Sequence, residues 1–198
     1  MKNEEGAVSL EPLPALSSLK GKTFVIKYGG SIMKNEEAKN AFLNDVATMR
    51  QYGVNIVIVH GGGPLISKWL NKTGIESKFV NGLRVTDENV MEIVQMVLCG
   101  MVNKDISLNL SLRGLNAIGV SGIDSKLIEA QKKYIYDNGE KIDIGFVGEV
   151  TNINETMLIS LIKSGQVPVV SPVGYDKDGN KYNINADYAA SFISSAIK

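Results

Sequence analysis

Short hydrophobic strands alternating with amphipathic helices predict an α/β fold, a three-layer α/β/α sandwich on a mainly parallel sheet. Three observations carry this. The β-prone run Thr23-Phe24-Val25-Ile26 leads through Lys27 into Gly29-Gly30, and Asn55 to Val59 leads into Gly61-Gly62-Gly63, so strand, glycine loop and helix recur twice. Val90, Ile93, Val94, Val97, Leu98 and Met101 repeat near the helical period of 3.6. The 198 residues are 44% hydrophobic without a Pro-rich or Gln-rich tract, which suits one domain or one large lobe with a real core.

Residues 1–20 are charged and then punctuated by Pro12 and Pro14, and read as a mobile leader with a short helix near Ala15 to Leu19. After the first strand, Asn35 is placed to cap a helix whose Glu36 and Glu37 suit the positive end of the dipole. Its inward face is Ala38, Ala41, Phe42, Val46 and Met49, and Gly53 ends it. The second strand runs into a helix carrying Leu65, Ile66, Trp69 and Leu70. Thr86 is then expected to cap the long helix through Met101.

Ala117 to Val120 makes a third strand. Lys132 to Tyr136 and Gly145 to Val150, around Asp137-Asn138-Gly139, predict an exposed hairpin decorating the core. Asn154 is expected to cap a helix from Glu155 to Ser164 with Met157, Leu158, Leu161 and Ile162 inward. A strand from Val167 to Val173, a turn at Asp176 to Asn180 and a helix from Ala186 to Ile197 complete the pattern. Sheets of this type bind ligands at the carboxyl ends of their strands, where both glycine loops emerge.

Twenty-one basic and 21 acidic residues leave no net charge, so no global field draws the chain to nucleic acid or anionic lipid, and a small-molecule partner is favoured. No run approaches the roughly 18 apolar residues of a membrane span, and acidic residues stand where a secretory signal would be basic, so a cytoplasmic protein is expected. The single cysteine, Cys99, at helical spacing among Val94, Val97, Leu98 and Met101, reads as a buried structural thiol.

Several motifs fail on inspection. Gly21-Lys22-Thr23 lacks the P-loop glycine, since Leu16 stands there, and Gly61-Gly62-Gly63 lacks the last glycine of the dinucleotide fingerprint, where Ile66 stands. Asp176 to Asn180 resembles a calcium loop but has Lys181 at the required glycine, and reads as a surface turn. His60, the only histidine, has no companions for a metal site and reads as a structural, hydrogen-bonded residue.

What remains is the pair of loops Lys27-Tyr28-Gly29-Gly30-Ser31 and Gly61-Gly62-Gly63-Pro64, whose amides can approach an anion because glycine has no Cβ. With a lysine at a strand end they offer what phosphoryl transfer needs, donors fixed where charge develops. Each loop alone is equally explained by a ligand-free turn.

Taken in order, Lys27-Tyr28-Gly29-Gly30, Val59-His60-Gly61-Gly62-Gly63-Pro64, Asn81-Gly82-Leu83-Arg84-Val85-Thr86 and Asn183-Ile184-Asn185-Ala186-Asp187 resemble the N-acetyl-L-glutamate kinases of the amino-acid kinase superfamily. The first two elements are shared superfamily-wide; the Arg84 loop and Asn183 segment point to the acetylglutamate member, collinear from about Gly21 to Lys198. The resemblance implies an amino-acid kinase-like fold and the reaction of ATP, accompanied by Mg²⁺, with N-acetyl-L-glutamate to give ADP and N-acetyl-L-glutamyl 5-phosphate in arginine biosynthesis. By position, Lys27 would neutralise the moving phosphoryl group, the Gly29 and Gly30 amides would serve its oxygens, and Asp187 would organise the lysines without acting as a base. Gly62 and Gly63 would hold the substrate through N–H groups, while Arg84 and Asn183 would bind its α-carboxylate. The alternatives are a structural lysine at 27, an Arg84–Asp87 surface pair, and Asn183 as a helix cap.

Family members continue beyond the point matching Lys198 with a nucleotide-binding lobe and a second lysine facing Lys27. The expectation is therefore an acetylglutamate-binding lobe over residues 21–198, with the ATP lobe absent and the chain inactive alone. A homodimer or higher homo-oligomer is implied. Leu13-Pro14-Ala15-Leu16 resembles the end of the N-terminal helix of arginine-inhibited members, which makes arginine feedback an expectation for the parent enzyme. Rival readings are another amino-acid kinase, such as a glutamate 5-kinase-like enzyme, and a non-catalytic amino-acid-binding or assembly module.

Overall fold

The computed structural model describes residues 17–137 and 139–197, so most of the expected leader, with the first two residues of its helix, lies outside the described residues. β1 (Thr23–Tyr28) is followed by a one-turn helix α1 (Gly30–Met33) and by α2 (Glu36–Gln51). Asn35 caps α2 by accepting from the Ala38 amide at 3.0 Å. Gly53, at φ +78°, ends it in a Schellman turn: its amide donates to Arg50 O and that of Val54 to Met49 O. The buried face is centred on Leu43, Val46 and Ala47, and Ala41, expected inward, is exposed.

β2 (Asn55–His60) leads into α3 (Gly63–Lys72), then the short strands β3 (Phe79–Val80) and β4 (Leu83–Arg84). The long helix is continuous but not uniform. α4 (Glu88–Gln95) passes through a π-helical stretch, Met96–Val102, into α5 (Asn103–Ser111). Its cap is Asp87, which accepts from the Val90 amide at 2.9 Å; Thr86 instead turns inward, fully buried. The π stretch rotates the pattern, so Met101 is partly exposed while Val97, Leu98 and Val102 are buried.

β5 (Ala117–Ser121), β6 (Ile128–Asp137), β7 (Glu140–Ile153), α6 (Thr156–Lys163), β8 (Val167–Ser171), β9 (Val173–Tyr175), β10 (Lys181–Ile184) and α7 (Ala186–Ala196) complete the chain. Glu155, not Asn154, occupies the α6 cap position and makes no side-chain cap bond; Asn154 Oδ1 accepts from the Thr156 amide at a long 3.4 Å.

The main sheet has the order β1-β2-β8-β5, and its pairs are parallel, with Lys27 opposite Val59 and Tyr28 opposite His60. β2 shows the layering most directly. Ile56 and Ile58 pack with Leu43, Val46, Leu70, Val97 and Ile106 on one face, and Val57 and Val59 with Leu158, Ala189 and Ile193 on the other. Each such fully buried aliphatic contributes about 1.5–3 kcal/mol. The α/β/α sandwich with its parallel sheet is as expected.

The hairpin is more than a decoration. β6 and β7 join β9 and β10 in a second sheet, ordered β10-β7-β6-β9, that closes on itself. The predicted strand from Val167 to Val173 breaks at Pro172, where the chain leaves one sheet for the other.

Candidate functional site

The parallel pairing of β1 and β2 brings both glycine loops to one edge of the sheet. The Gly61 amide donates to Tyr28 O at 3.0 Å, and a Cβ on Gly30 would stand 3.1 Å from Pro64 Cδ, so the loops touch. Gly63 is the first residue of α3, with Pro64 behind it, and helix geometry leaves its amide without an intrahelical acceptor. Gly62 has no room for a side chain: a Cβ would lie 2.5 Å from Leu98 Cδ2.

Lys27 and Tyr28 leave β1 on opposite faces, as strand geometry requires. Lys27 Nζ meets Asp187 Oδ1 at 3.1 Å, and a Cβ on Gly29 would be 3.3 Å from the same Nζ. Asp187 sits in the first turn of α7, where Asn185 Oδ1 caps the helix by accepting from the Asp187 amide at 2.8 Å. The pair is half-exposed, with side-chain exposures of 37% and 67%, so the ammonium is accessible to an incoming anion.

Beside it lies a cavity of about 190 Å³ lined in part by Gly61, Gly62, Gly63, Arg84, Asn183 and Asn185. Arg84 is buried and well supported. Its guanidinium donates to Ser77 Oγ, to Ser67 Oγ at 2.8 Å and to Gly63 O at 3.1 Å, and lies 4.6 Å from the Phe79 ring centroid. Burial lowers its pKa from the ordinary arginine value. Among the described ion pairs it has none with Asp87, whose carboxylate caps α4. Asn183 Nδ2 donates to Thr86 Oγ1 at 3.3 Å, and that hydroxyl donates to Arg84 O at 2.8 Å, so Asn183 is tied to the Arg84 loop rather than capping α7.

The eight expected site residues therefore fall into two adjoining sets. Gly62, Gly63, Arg84 and Asn183 line the cavity, while Lys27, Gly29, Gly30 and Asp187 form a charged edge next to it. Sequence reasoning missed the supports of Arg84, namely Ser67, Ser77 and Phe79. Only Ser67, four residues after Gly63, stood at a helical spacing that could have signalled it. A larger cavity of about 530 Å³, walled by Tyr28, Lys34, Leu65, Lys68 and Met101, contains none of the eight.

His60 is fully buried, and burial lowers its pKa to about 4. Cys99 is half-buried, accepts from Ser171 Oγ at 3.2 Å, and has its thiol pKa raised by burial. Among the described residues no group of three or more His, Cys, Asp or Glu could hold a metal ion, and no helix is long and apolar enough to cross a membrane.

Residues 22–198 match the amino acid kinase family. The acetylglutamate kinase of Clostridium acetobutylicum is 63% identical over 187 residues, which are 94% of this chain and 63% of that protein. That of Caldicellulosiruptor bescii is 51% identical over 195 residues, 98% of this chain and 67% of its own length. The chain thus spans a little under two-thirds to two-thirds of these curated relatives. Among solved structures, smu.665 from Streptococcus mutans UA159 superposes with a TM-score of 0.76 at 30% identity, covering 89% of this chain and 68% of its own. The N-acetylglutamate synthase of Neisseria gonorrhoeae, solved with coenzyme A and N-acetyl-glutamate, shares the fold with a TM-score of 0.77 at 21% identity over 93% of this chain and 41% of its own. Paired glycine loops at the strand ends, the buried Arg84 between them and α7, and a family match across all but the leader lead to one assignment: the chain belongs to the amino acid kinase family.

Proposed function

We propose that residues 21–198 form the acetylglutamate-binding lobe of a phosphotransferase that converts ATP and N-acetyl-L-glutamate to ADP and N-acetyl-L-glutamyl 5-phosphate, in arginine biosynthesis. The observation that carries this reading is the adjacency of a buried, triply anchored Arg84 in a small cavity to the Lys27–Asp187 pair over Gly29. One holds a carboxylate and the other meets a phosphoryl group.

The substrate side-chain carboxylate, already ionised at neutral pH, attacks the γ-phosphorus; the bond to the β–γ bridging oxygen breaks and its electrons leave with ADP. No general base is required. Lys27 offsets the charge on the moving group, the Gly29 and Gly30 amides donate to its oxygens, and Asp187 fixes the ammonium by charge. Arg84 and Asn183 orient the α-carboxylate, and the Gly62 and Gly63 amides bind near the reacting end. Mg²⁺ enters with ATP as part of that substrate. We place the nucleotide lobe in the part of the relatives' length that this chain does not span. We also take the assembled enzyme to be a homodimer or higher homo-oligomer.

Calorimetric titration of N-acetyl-L-glutamate, alone and with an ATP analogue and Mg²⁺, tests the reading with Arg84→Ala as control. Saturable binding abolished by the substitution is expected. Binding untouched by it, or unacetylated glutamate competing on equal terms, would overturn the assignment.

A further inference from the structure

The π-helical stretch lies directly under the glycine loop of β2. Leu98 and Val102 occupy the space that a Gly62 side chain would need, and Asn103, the first residue after the stretch, points into the sheet with only 1% of its surface exposed. Asn103 Nδ2 stands 2.8 Å from Val169 O, 3.0 Å from Val120 O and 3.2 Å from His60 Nε2. It thus joins β8, β5 and the end of β2 through one side chain.

Two backbone carbonyls against the same nitrogen require the amide to face them with its NH₂, whose two hydrogens they take; His60 Nε2, the longest of the three contacts, shares those hydrogens as an unprotonated acceptor, because an amide nitrogen cannot accept from an Nε2–H. At the other side of the ring, His60 Nδ1 lies 2.8 Å from Gly61 O, an acceptor, and must carry the proton. The two requirements agree, since a neutral imidazole has one donor and one acceptor. The low His60 pKa keeps it neutral in this arrangement.

This arrangement has a cost. Asn103 Oδ1 is buried without a hydrogen-bond partner among the described residues, and a Cβ on Gly119 would stand 2.0 Å from it. The contacts of the Nδ2 end must offset that cost.

We propose that Asn103 and His60 are positioning residues for the glycine loop: Asn103 fixes the Nδ1–H tautomer of His60, and that proton clamps the Gly61 carbonyl, aiming the Gly62 and Gly63 amides into the substrate cavity. Gly61 is then held from both sides, its amide by Tyr28 O and its carbonyl by His60. The proposal rests on the functional reading above for the identity of the ligand, but not for the clamp.

Because the chain has one histidine, its imidazole gives a single set of ¹⁵N resonances. The wild-type chain at pH 7 is expected to show the Nδ1–H tautomer; an Nε2–H or charged ring would overturn the proposal without any variant. Asn103→Leu removes the NH₂ that keeps Nε2 unprotonated and is expected to let the Nε2–H tautomer populate, weakening N-acetyl-L-glutamate binding about tenfold, the weight of one lost buried hydrogen bond. His60→Asn keeps a donor where Nδ1 stands but has no tautomer, so on that background Asn103→Leu should change affinity less than about threefold. An equal loss on both backgrounds would mean that Asn103 acts on stability alone, and would overturn the proposal. If the wild-type chain shows the Nδ1–H tautomer yet binds no acetylglutamate, the functional reading fails and the clamp stands.

Discussion

Adding one methyl group at Gly62 tests how tightly the π-helical stretch supports the site. The alanine Cβ would lie 2.5 Å from Leu98 Cδ2 and 3.4 Å from Val102 Cγ2, against about 3.5–4.0 Å for relaxed carbon contacts. Gly62, at φ 176°, lies outside the left-handed region, so the penalty is read from the contact with Leu98. Leu98 is 2% exposed and has no solvent to swing into, so the overlap must be relieved within a packed core at about 1–3 kcal/mol. For a chain of this size that lowers Tm by about 2–12 °C. Leu98→Ala alone leaves a cavity and costs about 2–5 kcal/mol. If the Gly62–Leu98 contact is the cause, the double variant is less destabilised than the sum by at least about 1 kcal/mol. Urea unfolding of the four proteins, followed by circular dichroism, measures this. Additivity within about 0.5 kcal/mol would refute the steric argument.

Arg84→Lys keeps the charge, but one ammonium cannot serve Ser67, Ser77 and Gly63 as the planar fork does; a stability loss of about 1–3 kcal/mol is expected in thermal melts, and an unchanged Tm would contradict the burial argument. Asp187→Asn removes a half-exposed pair and should alter stability by no more than about 1 kcal/mol, so a larger loss in urea titration would show the pair to be structural rather than a device for the reaction. His60 titrates in the folded chain at about 4, below its ordinary 6.5, so the unfolded chain takes up the proton first. Stability should therefore fall by about 3 kcal/mol as pH drops from about 6.5 to about 4, with nothing from this group outside that window. The upper part of the window lies above the ordinary carboxylate range, and His60→Asn should flatten it; a wild-type chain with constant stability between pH 6.5 and 5 would refute the assignment.

Much of the site was legible because its determinants are local. A glycine where a backbone must approach an anion and a lysine at a strand end are patterns of a few neighbouring residues. The glycine loops could be named from such patterns, whereas the grouping of Lys27, Gly29 and Gly30 with Asp187 came only from the family resemblance; in the fold Lys27 Nζ lies 3.1 Å from Asp187 Oδ1. The Asn35 cap and the Gly53 stop were equally local. The π stretch was not, because a helix with one looser turn still shows a period near 3.6 over a short window, and the phase error surfaces only where Met101 emerges to solvent. Thr86 illustrates the same limit: a threonine before a helix favours a cap, but Asp87, one residue on, caps through the Val90 amide, and the Thr86 hydroxyl lies inside, linking Asn183 to the Arg84 backbone.

By itself the sequence determined the alternation of strand and helix, and hence the parallel sheet, because side-chain periodicity is written residue by residue. It also showed two glycine loops whose amides can approach an anion. Only the tertiary structure decided that β6, β7, β9 and β10 close into a second sheet, since pairing between strands far apart in the chain depends on where Pro172 lets the chain change sheets. The tertiary structure alone also decided how Arg84 is held, by Ser67, Ser77 and Phe79, and how Asn103 reaches His60 across 43 residues, because a buried polar group selects its partners by distance in the folded interior rather than by place in the chain.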